Sequence, residues 1–251
     1  RPEYLVETDW LEQNIDMAEL RIFDCSVNVI PNPDPEQGQQ IPLVFQSGRI
    51  NYDQAHIPRA GFIDVPLELS DNSSHLPLMV PSEKQFTETM SQYGIGDDTR
   101  VVLYSTTEPN WAARVWWMLR AFGFDRVAIL NGGWNKWTTE GRPVSNQSCE
   151  YLPSQFIARP RSGFFVGKKE VLEAIDNDEI RTINALPSAL HTGNSDIVFG
   201  RKGHISGSVN VPFVELHDPD TGSYVPADQL FKIFDSAVVS EASRVITYCG
   251  G

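Results

Sequence analysis

An internal duplication limits the fold of this chain more than any other feature of its sequence. The segment "RVVLYS" (100–105) matches "RVITYC" (244–249) in register, with Ser105 opposite Cys249. The segment "AHIPRAGFIDVP" (55–66) matches "GHISGSVNVP" (203–212), with two extra residues in the first copy. Self-similarity in the same order along the chain indicates two copies of one structural unit. We therefore predict two related halves.

Each copy alternates short apolar segments with amphipathic stretches. A strand of the type "RIFD" (21–24) or "RTIN" (181–184) comes early, and "SEKQFTETMSQYGI" (82–95) or "PADQLFKIFDSAVV" (226–239) precedes the last strand. The order helix, strand, loop, strand, helix, strand is the same in both copies. Such alternation predicts an α/β fold in each half, with an open, mainly parallel sheet flanked by helices.

The composition between the two copies indicates a linker. The segment 141–163 carries prolines at 143, 153 and 160 and has no hydrophobic periodicity. Such segments usually run over the surface. We predict a first domain over 1–142, a linker over 143–163 and a second domain over 164–251.

The second copy is shorter than the first. After Ser105 the first copy continues with "WAARVWWMLRAFGF" (111–124), "RVAILN" (126–131) and "GGWNKW" (132–137), whereas the second reaches only Gly251. The arithmetic of the repeat predicts a longer protein of about 290 residues. On this expectation the 251-residue chain alone would be inactive, with a loosened second domain.

Composition excludes several classes of partner. A net charge of −13 argues against nucleic acid and anionic membranes, which both require a basic surface. No run of apolar residues reaches the length of a membrane helix, and the charged first residues do not resemble a signal peptide. We expect a cytoplasmic monomer, although a chain that begins with Arg leaves its true start open.

The three cysteines do not form a metal-binding or disulfide pattern. Cys25, Cys149 and Cys249 lack CxxC spacing and a second ligand cluster. We therefore expect no metal and no cofactor, and one of these thiols is a candidate for reactivity.

Taken together, the duplicated segments, "ARVWWMLRAFGF" (113–124), "LNGGWNKW" (130–137) and "YCGG" (248–251) resemble the tandem-domain rhodanese-type sulfurtransferases. That family includes thiosulfate and 3-mercaptopyruvate sulfurtransferases, and the resemblance covers essentially the whole chain. It implies that the strand-end cysteine of the second domain, Cys249, carries sulfur as a persulfide. It also implies that the first domain has lost its cysteine, which Ser105 fits. The implied reactants are a small-molecule sulfur donor and a thiol or cyanide acceptor.

The residues around Cys249 suit this chemistry. A cysteine attacks as its thiolate, and a tight loop of backbone N–H groups after a strand favours the thiolate. Gly250 and Gly251 allow the backbone to approach the sulfur closely and would form the loop that binds substrate and stabilises developing negative charge. The alternative is that Cys249 is a small buried hydrophobe at a strand end.

The sequence departs from the better-known relatives where those bind their anionic donor. Their second domain has a "DxR" segment followed by another arginine, whereas this chain has Asn184 and Leu186 in the segment and Leu190 or His191 near the position of the second arginine. The missing arginines predict weak saturation by thiosulfate and leave the preferred donor open.

Three other residues are candidates for the lost anion contact. His191 could donate a hydrogen bond or carry partial charge, and Arg201 and Lys202 are the nearest basic pair in sequence. For all three the alternative is a solvated loop side chain.

The histidines at equivalent positions of the two copies favour a structural role over a catalytic one. His56 and His204 are equivalent in the two copies, and only one copy has the cysteine, so we expect both to fix loops. Cys25 is expected to be structural, and Cys149 to lie in the linker. Two other function classes stay open: a non-enzymatic sulfur carrier or interaction module, and a cysteine phosphatase.

Overall fold

The computed structural model describes residues 3–34, 42–237, 239 and 241–250, and these group into two compact units. The first unit holds the described residues up to Ile30, together with Phe45–Phe164 and Asp220–Ser223. The second holds the other described residues. Within the described ranges, no helix is long and apolar enough to cross a bilayer.

The first unit is built on a five-stranded sheet whose strand order is β1-β7-β6-β2-β5. Every neighbouring pair of these strands is parallel. The strands are β1 Leu5–Val6, β2 Leu20–Asp24, β5 Ala60–Phe62, β6 Arg100–Tyr104 and β7 Val127–Leu130. Between β2 and β5, the strands β3 Val27–Pro31 and β4 Leu43–Ser47 form a separate two-stranded sheet.

Six helices accompany this sheet in sequence. They are α1 Thr8–Asn14, α2 Arg49–Gln54, α3 Val65–Glu68, α4 Glu83–Gln92, α5 Asn110–Ala121 and α6 Gly133–Thr139. The helix α5 shows the predicted amphipathic pattern, because Ala112, Val115 and Leu119 are buried on one face. It ends before Gly123, whose φ of 91° is the left-handed conformation that favours glycine after a helix.

The second unit has a three-stranded parallel sheet in the order β10-β8-β9. Its strands are β8 Ile180–Asn184, β9 Val209–Asn210 and β10 Arg244–Tyr248. Its helices are α7 Lys168–Ile175, α8 Ser188–His191 and α9 Ala227–Ser236, with a 3-10 turn at Phe213–Leu216. The order β10-β8-β9 repeats the order β6-β2-β5 of the first unit. The prediction of parallel α/β sheets in both halves is confirmed.

The two equivalent strands β6 and β10 differ in how far they are covered. In β6, Val101 and Leu103 belong to one apolar cluster and Val102 and Tyr104 to another, so both faces of the strand are buried. In β10 only Ile246 is buried, and Val245 is 40% exposed. The first unit therefore contains the larger apolar core among the described residues.

The segment 143–163 contains no helix or strand, but part of it packs into the first unit. The ring of Phe156 is buried and stacks edge-on against Phe86. The hydroxyl of Tyr151 donates to the carbonyl of Arg59 at 2.6 Å and accepts from the amide of Ile22 at 2.9 Å. The proline-rich composition gave no indication of this anchoring, because the two aromatic residues have no periodicity around them.

The duplication extends to individual hydrogen bonds around the last residue of β6 and β10. The carbonyl of Tyr104 accepts from the amide of Cys25, and its hydroxyl accepts from the amide of Ile57. In the second unit the carbonyl of Tyr248 accepts from Ala185, and its hydroxyl accepts from Ile205. Each tyrosine therefore ties three chain segments together at the carboxyl end of its sheet.

By the same correspondence, Asp24 in the first unit is equivalent to Asn184 in the second. In the sheet, Asp24 pairs with Tyr104 and Asn184 pairs with Tyr248. Each side-chain Oδ1 accepts from the backbone amide two residues later, that of Ser26 at 2.8 Å and that of Leu186 at 2.9 Å. Asp24 is completely buried, and burial raises the pKa of its carboxyl group from 3.8 to about 7, against the opposing effect of the hydrogen bonds from Ser26.

This buried carboxyl group makes the stability of the protein depend on pH. A raised pKa in the folded state means that the stabilising contribution is complete below about pH 4 and is lost as the pH rises through about 7. The difference corresponds to about 4 kcal/mol. We predict that Asp24→Asn removes this loss, so that the variant gains unfolding free energy over the wild type progressively from pH 4 to pH 7.

Urea unfolding of both proteins at several pH values checks this prediction. Asparagine is compatible with the position because Asn184 makes the equivalent hydrogen bond in the second unit. The matched control is Asp98→Asn, at an exposed aspartate, which should leave the pH profile unchanged. A difference between Asp24→Asn and wild type that is constant from pH 4 to pH 8 would contradict the account.

Candidate active site

The thiol of Cys249 lies at the carboxyl edge of the second unit's sheet. Cys249 follows β10 directly and is exposed. The end of β10 is held against the end of the neighbouring strand β8, because the N–H of Ala185 donates to the carbonyl of Tyr248 at 2.9 Å. A thiol at this edge meets loops from several strands, which is where parallel α/β sheets usually bind ligands.

A cavity of about 590 Å³ opens beside this thiol. Cys249 and Gly250 both line it. Two sets of side chains share the lining: the apolar Leu186, Leu190 and Phe199, and the polar Arg201, Lys202 and His204. The structure thus brings the predicted Cys249, Gly250, Arg201 and Lys202 to one cavity. Gly251 lies outside the described residues.

Phe199 closes the cavity against the residue that follows the thiol. A methyl group added at the Cα of Gly250 would lie only 2.5 Å from Cζ of the Phe199 ring. Glycine at 250 is therefore required for this aromatic ring to reach the backbone beside Cys249. The sequence analysis did not identify Phe199, because the loop between His191 and Gly203 has no periodicity that would indicate contact with residue 250.

Two asparagines hold the loop that carries Leu186. The amide of Leu186 donates to Asn184 Oδ1, and its carbonyl accepts from Asn210 Nδ2, both at 2.9 Å. Asn210 Nδ2 also donates to the carbonyl of Asn184. The sequence had marked Asn184 as a lost aspartate, and the structure shows it acting as a buried loop anchor.

His191 and His204 form a stacked pair at this site. Their ring centroids are 3.8 Å apart with an interplanar angle of 12°. Nδ1 of His204 lies 2.7 Å from the carbonyl oxygen of His191, so this nitrogen carries the proton. Of the two, His204 lines the cavity and His191 packs behind it. Burial, and to a smaller extent His204, lowers the pKa of His191, which favours a neutral ring.

The two predicted loop-fixing histidines differ in their environment. His56 is fully buried, with Nδ1 2.7 Å from the carbonyl of Tyr52 and Nε2 3.0 Å from that of Gln147. This agrees with the structural role expected of it. His204 also contacts a carbonyl through Nδ1, but it is exposed at the cavity. The duplication therefore did not reveal that only His204 reaches a cavity beside a cysteine.

In the first unit, the position equivalent to the Cys249 site holds a cluster of hydroxyl groups that hydrogen-bond to nearby backbone amides. Ser105 accepts from the amide of Thr107 at 3.1 Å, and Ser26 accepts from the amide of Thr106 at 2.7 Å. Ser26 also lies 2.8 Å from Thr106 Oγ1. In the second unit Leu186 takes the place of Ser26, and its hydrocarbon side chain cannot accept a hydrogen bond from the Gly250 amide.

The other two cysteines lie in the first unit and are less accessible. Cys25 is fully buried, and burial, with a smaller effect of Asp24, raises the pKa of its thiol well above the ordinary value. Cys149 is partly buried, and burial raises its pKa also. Low accessibility and a high pKa both reduce reactivity, because the thiolate is the nucleophile. Cys249 is the exposed cysteine of the three.

We predict that the three cysteines react with iodoacetamide in the native chain in the order of their accessibility. Cys249 should be alkylated first. Cys149 should react at roughly one tenth of that rate or below, and Cys25 only after unfolding. Peptide mapping by mass spectrometry after timed quenching measures the three rates. In urea all three should react at similar rates. Alkylation of Cys25 in the native chain as fast as that of Cys249 would contradict the described burial.

Comparison with known proteins adds independent information. The family profile described as "Rhodanese-like domain" matches residues 7–140. The thiosulfate sulfurtransferase of Mus musculus is 31% identical over 98% of this chain and 80% of its own length. The 3-mercaptopyruvate sulfurtransferase of Escherichia coli (strain K12) is 32% identical over 98% of this chain and 84% of its own. The crystal structure of the 3-mercaptopyruvate sulfotransferase SseA from Escherichia coli superimposes with a TM-score of 0.81 at 31% identity, covering 97% of this chain and 87% of that chain.

Proposed function

This chain belongs to the rhodanese-like family and is a sulfurtransferase, and on that premise we propose that it carries sulfane sulfur as a persulfide on Cys249. Its sulfur donor is a small molecule such as thiosulfate or 3-mercaptopyruvate, after which the relatives are named. Its acceptor is a thiol or cyanide.

The reaction consists of two displacements at sulfur. The Cys249 thiolate attacks the outer sulfur of thiosulfate, a Cys–S–S⁻ bond forms, and sulfite leaves with the electron pair of the broken S–S bond. Cyanide then attacks the terminal sulfur, thiocyanate leaves, and the thiolate is regenerated. No redox cofactor is required, because each step moves one sulfur atom between two nucleophiles.

The observation that carries this proposal is the position of Cys249 beside a cavity, where the equivalent residue of the first unit is Ser105. A cysteine at the end of a parallel strand beside a cavity can meet a small donor, whereas a buried cysteine cannot. Ser105 is buried, and its hydroxyl is engaged within its own unit. This difference supports a silent first domain over 1–142 and a catalytic second domain over 164–251, joined by 143–163.

The backbone amide after Cys249 supports the same proposal. In the first unit a side-chain hydroxyl accepts from the amide of Thr106, the residue equivalent to Gly250. Because Leu186 replaces that hydroxyl, the side chain at this position leaves the Gly250 N–H to other acceptors. A backbone N–H directed at developing negative charge stabilises it by several kcal/mol, and removal of one such donor typically costs about 2.7–4 kcal/mol. Gly250 and Gly251 are the proposed contributors.

Arg201 and Lys202 are the proposed contacts for the anionic part of the donor. Both line the cavity that Cys249 lines. Exposed cations contribute modestly, roughly 0.2–1 kcal/mol per pair. His191 supports the site through His204, on which its ring stacks. The net charge of −13 supports a protein without nucleic-acid or anionic-membrane partners, and a monomeric, cytoplasmic protein stays a prediction.

We predict that Cys249→Ser abolishes the formation of thiocyanate from cyanide and a sulfur donor. Serine cannot form a persulfide, so the expected loss is complete to the background of the assay. The controls are Cys25→Ser and Cys149→Ser, whose thiols are buried or partly buried in the first unit and should be dispensable. Colorimetric measurement of thiocyanate with each purified variant, made in the full-length protein, gives the answer. Substantial turnover by Cys249→Ser would exclude this cysteine as the sulfur carrier.

A further inference from the structure

The two stacked histidines beside Cys249 differ in their capacity to take up a proton. Nδ1 of His191 is buried and has no hydrogen-bond partner among the described residues. A charged imidazole has an N–H at both nitrogens, so this one would be a buried donor without an acceptor. Burial, and to a smaller extent His204, also lowers the pKa of His191. The ring of His191 is therefore held neutral.

His204 can gain a proton where His191 cannot. Its Nδ1 lies 2.7 Å from the carbonyl oxygen of His191 and donates to it in the neutral and in the charged ring. Nε2 is therefore the nitrogen that gains or loses a proton. The side chain is exposed and lines the cavity, so no buried N–H results from protonation. A histidine ordinarily changes its charge between pH 5 and pH 8.

The backbone holds His204 at a fixed place relative to Cys249. The amide of Ile205, the next residue, donates to the hydroxyl of Tyr248 at 3.0 Å, and Tyr248 directly precedes Cys249. The ring stacks on His191 at 3.8 Å between centroids and is tied to its carbonyl through Nδ1. His204 is therefore a positioned group of this cavity.

The charged groups around this ring leave His204 and the thiol as the sources of a pH-dependent charge. The titratable side chains that line the cavity with His204 are Arg201, Lys202, Tyr248 and Cys249. None of them is a carboxylate, and Asp196, the nearest acidic residue in sequence, does not belong to the lining. The helix α8, which stacks on the ring through His191, has no other titratable side chain. Lysine, arginine and tyrosine side chains ordinarily keep their charge between pH 5 and pH 8.

We propose that His204, protonated at Nε2, is a third cation of the Cys249 cavity, which joins Arg201 and Lys202 and strengthens the contact with an anionic sulfur donor as the pH falls. This inference rests on the proposed function of Cys249. His191 is a positioning residue, because its neutral ring stacks on His204 without repelling the positive charge. At higher pH, Nε2 presents a lone pair in place of an N–H, which is unfavourable towards an anion.

Two alkylating reagents of different charge test the proposal on the full-length protein. Iodoacetate is an anion and iodoacetamide is neutral between pH 5 and pH 8, and both react with the thiolate of Cys249. The ratio of the two rates cancels the thiolate fraction, so it reports the charge around the sulfur. We expect the ratio of iodoacetate to iodoacetamide to rise about twofold to fivefold from pH 8 to pH 5, the effect of one exposed charge. Peptide mapping by mass spectrometry after timed quenching gives both rates, and a free thiol in solution should show a constant ratio.

Two variants locate the charge. In His204→Asn the side-chain amide can still donate to the carbonyl of His191 but has no counterpart of Nε2, so the ratio should not change with pH. His191→Phe keeps a flat, neutral ring against His204 and should preserve the rise. The matched control is His75→Asn, at an exposed histidine of the first unit, which should behave as the wild type.

Sulfur transfer gives a second readout. His204→Asn should raise the KM for thiosulfate about twofold to fivefold over the wild type at pH 5.5 and leave it unchanged at pH 8. A residue that only packed the loop would change KM by the same factor at both pH values. Initial rates of thiocyanate formation over a range of thiosulfate concentrations give KM and kcat for each protein.

The possible results separate this inference from the proposed function. An alkylation ratio that rises in the wild type and is constant in His204→Asn supports the inference. A constant ratio in the wild type, a rise that His204→Asn retains, or a change of KM that is equal at both pH values overturns it. Absence of thiocyanate formation by the wild type, with the alkylation ratio still rising, overturns the proposed function and donor binding with it, while the charge on His204 stands.

Discussion

The hydrogen bonds of one tyrosine, at the end of β6 in the first unit and at the end of β10 in the second, organise both halves of this protein. Tyr104 and Tyr248 each accept one N–H at the carbonyl and another at the hydroxyl, so each joins the end of its strand to the neighbouring strand end and to the loop before the next strand. The residue that follows the tyrosine is thereby placed at a fixed point on the edge of the sheet. In one unit that residue is Ser105, and in the other it is Cys249.

The difference in chemistry between the two units comes from substitutions on this shared frame. Around Ser105, the hydroxyl of Ser26 accepts from the amide of Thr106 and the hydroxyl of Ser105 accepts from the amide of Thr107. These amides therefore have their hydrogen-bond acceptors within the first unit. Around Cys249, Leu186 stands where Ser26 stands in the first unit, and a cavity with both apolar and cationic lining takes the place of the hydroxyl cluster. Similarly, Asn184 is neutral where Asp24 carries a buried carboxyl group with a pKa near 7. The described residues thus form a cluster of hydroxyl groups in one copy and line a cavity with apolar and cationic side chains in the other.

From the repeat, the sequence could predict the parallel sheets and the strand that ends at residue 104 or 248. It could also predict that Ser105 and Cys249 are equivalent residues of the two copies. These features depend on local apolar patterns and on a chain direction that both copies share. The contact of Phe199 with Gly250 and the stacking of His191 on His204 could not be predicted, because they form between aperiodic loop residues that the fold brings together. The anchoring of Tyr151 and Phe156 was missed for the same reason, since a proline-rich composition describes a connection and not what it packs against.

The most direct test of the central claim is the intact mass of the full-length protein after brief incubation with thiosulfate or 3-mercaptopyruvate and removal of excess donor. The account predicts a gain equal to one sulfur atom, located on the peptide that contains Cys249 and lost again when cyanide is added. An aryl phosphate in place of the sulfur donor should leave the mass unchanged. A gain of sulfur that maps to Cys25 or Cys149, or that persists when Cys249 is replaced by serine, would contradict the account.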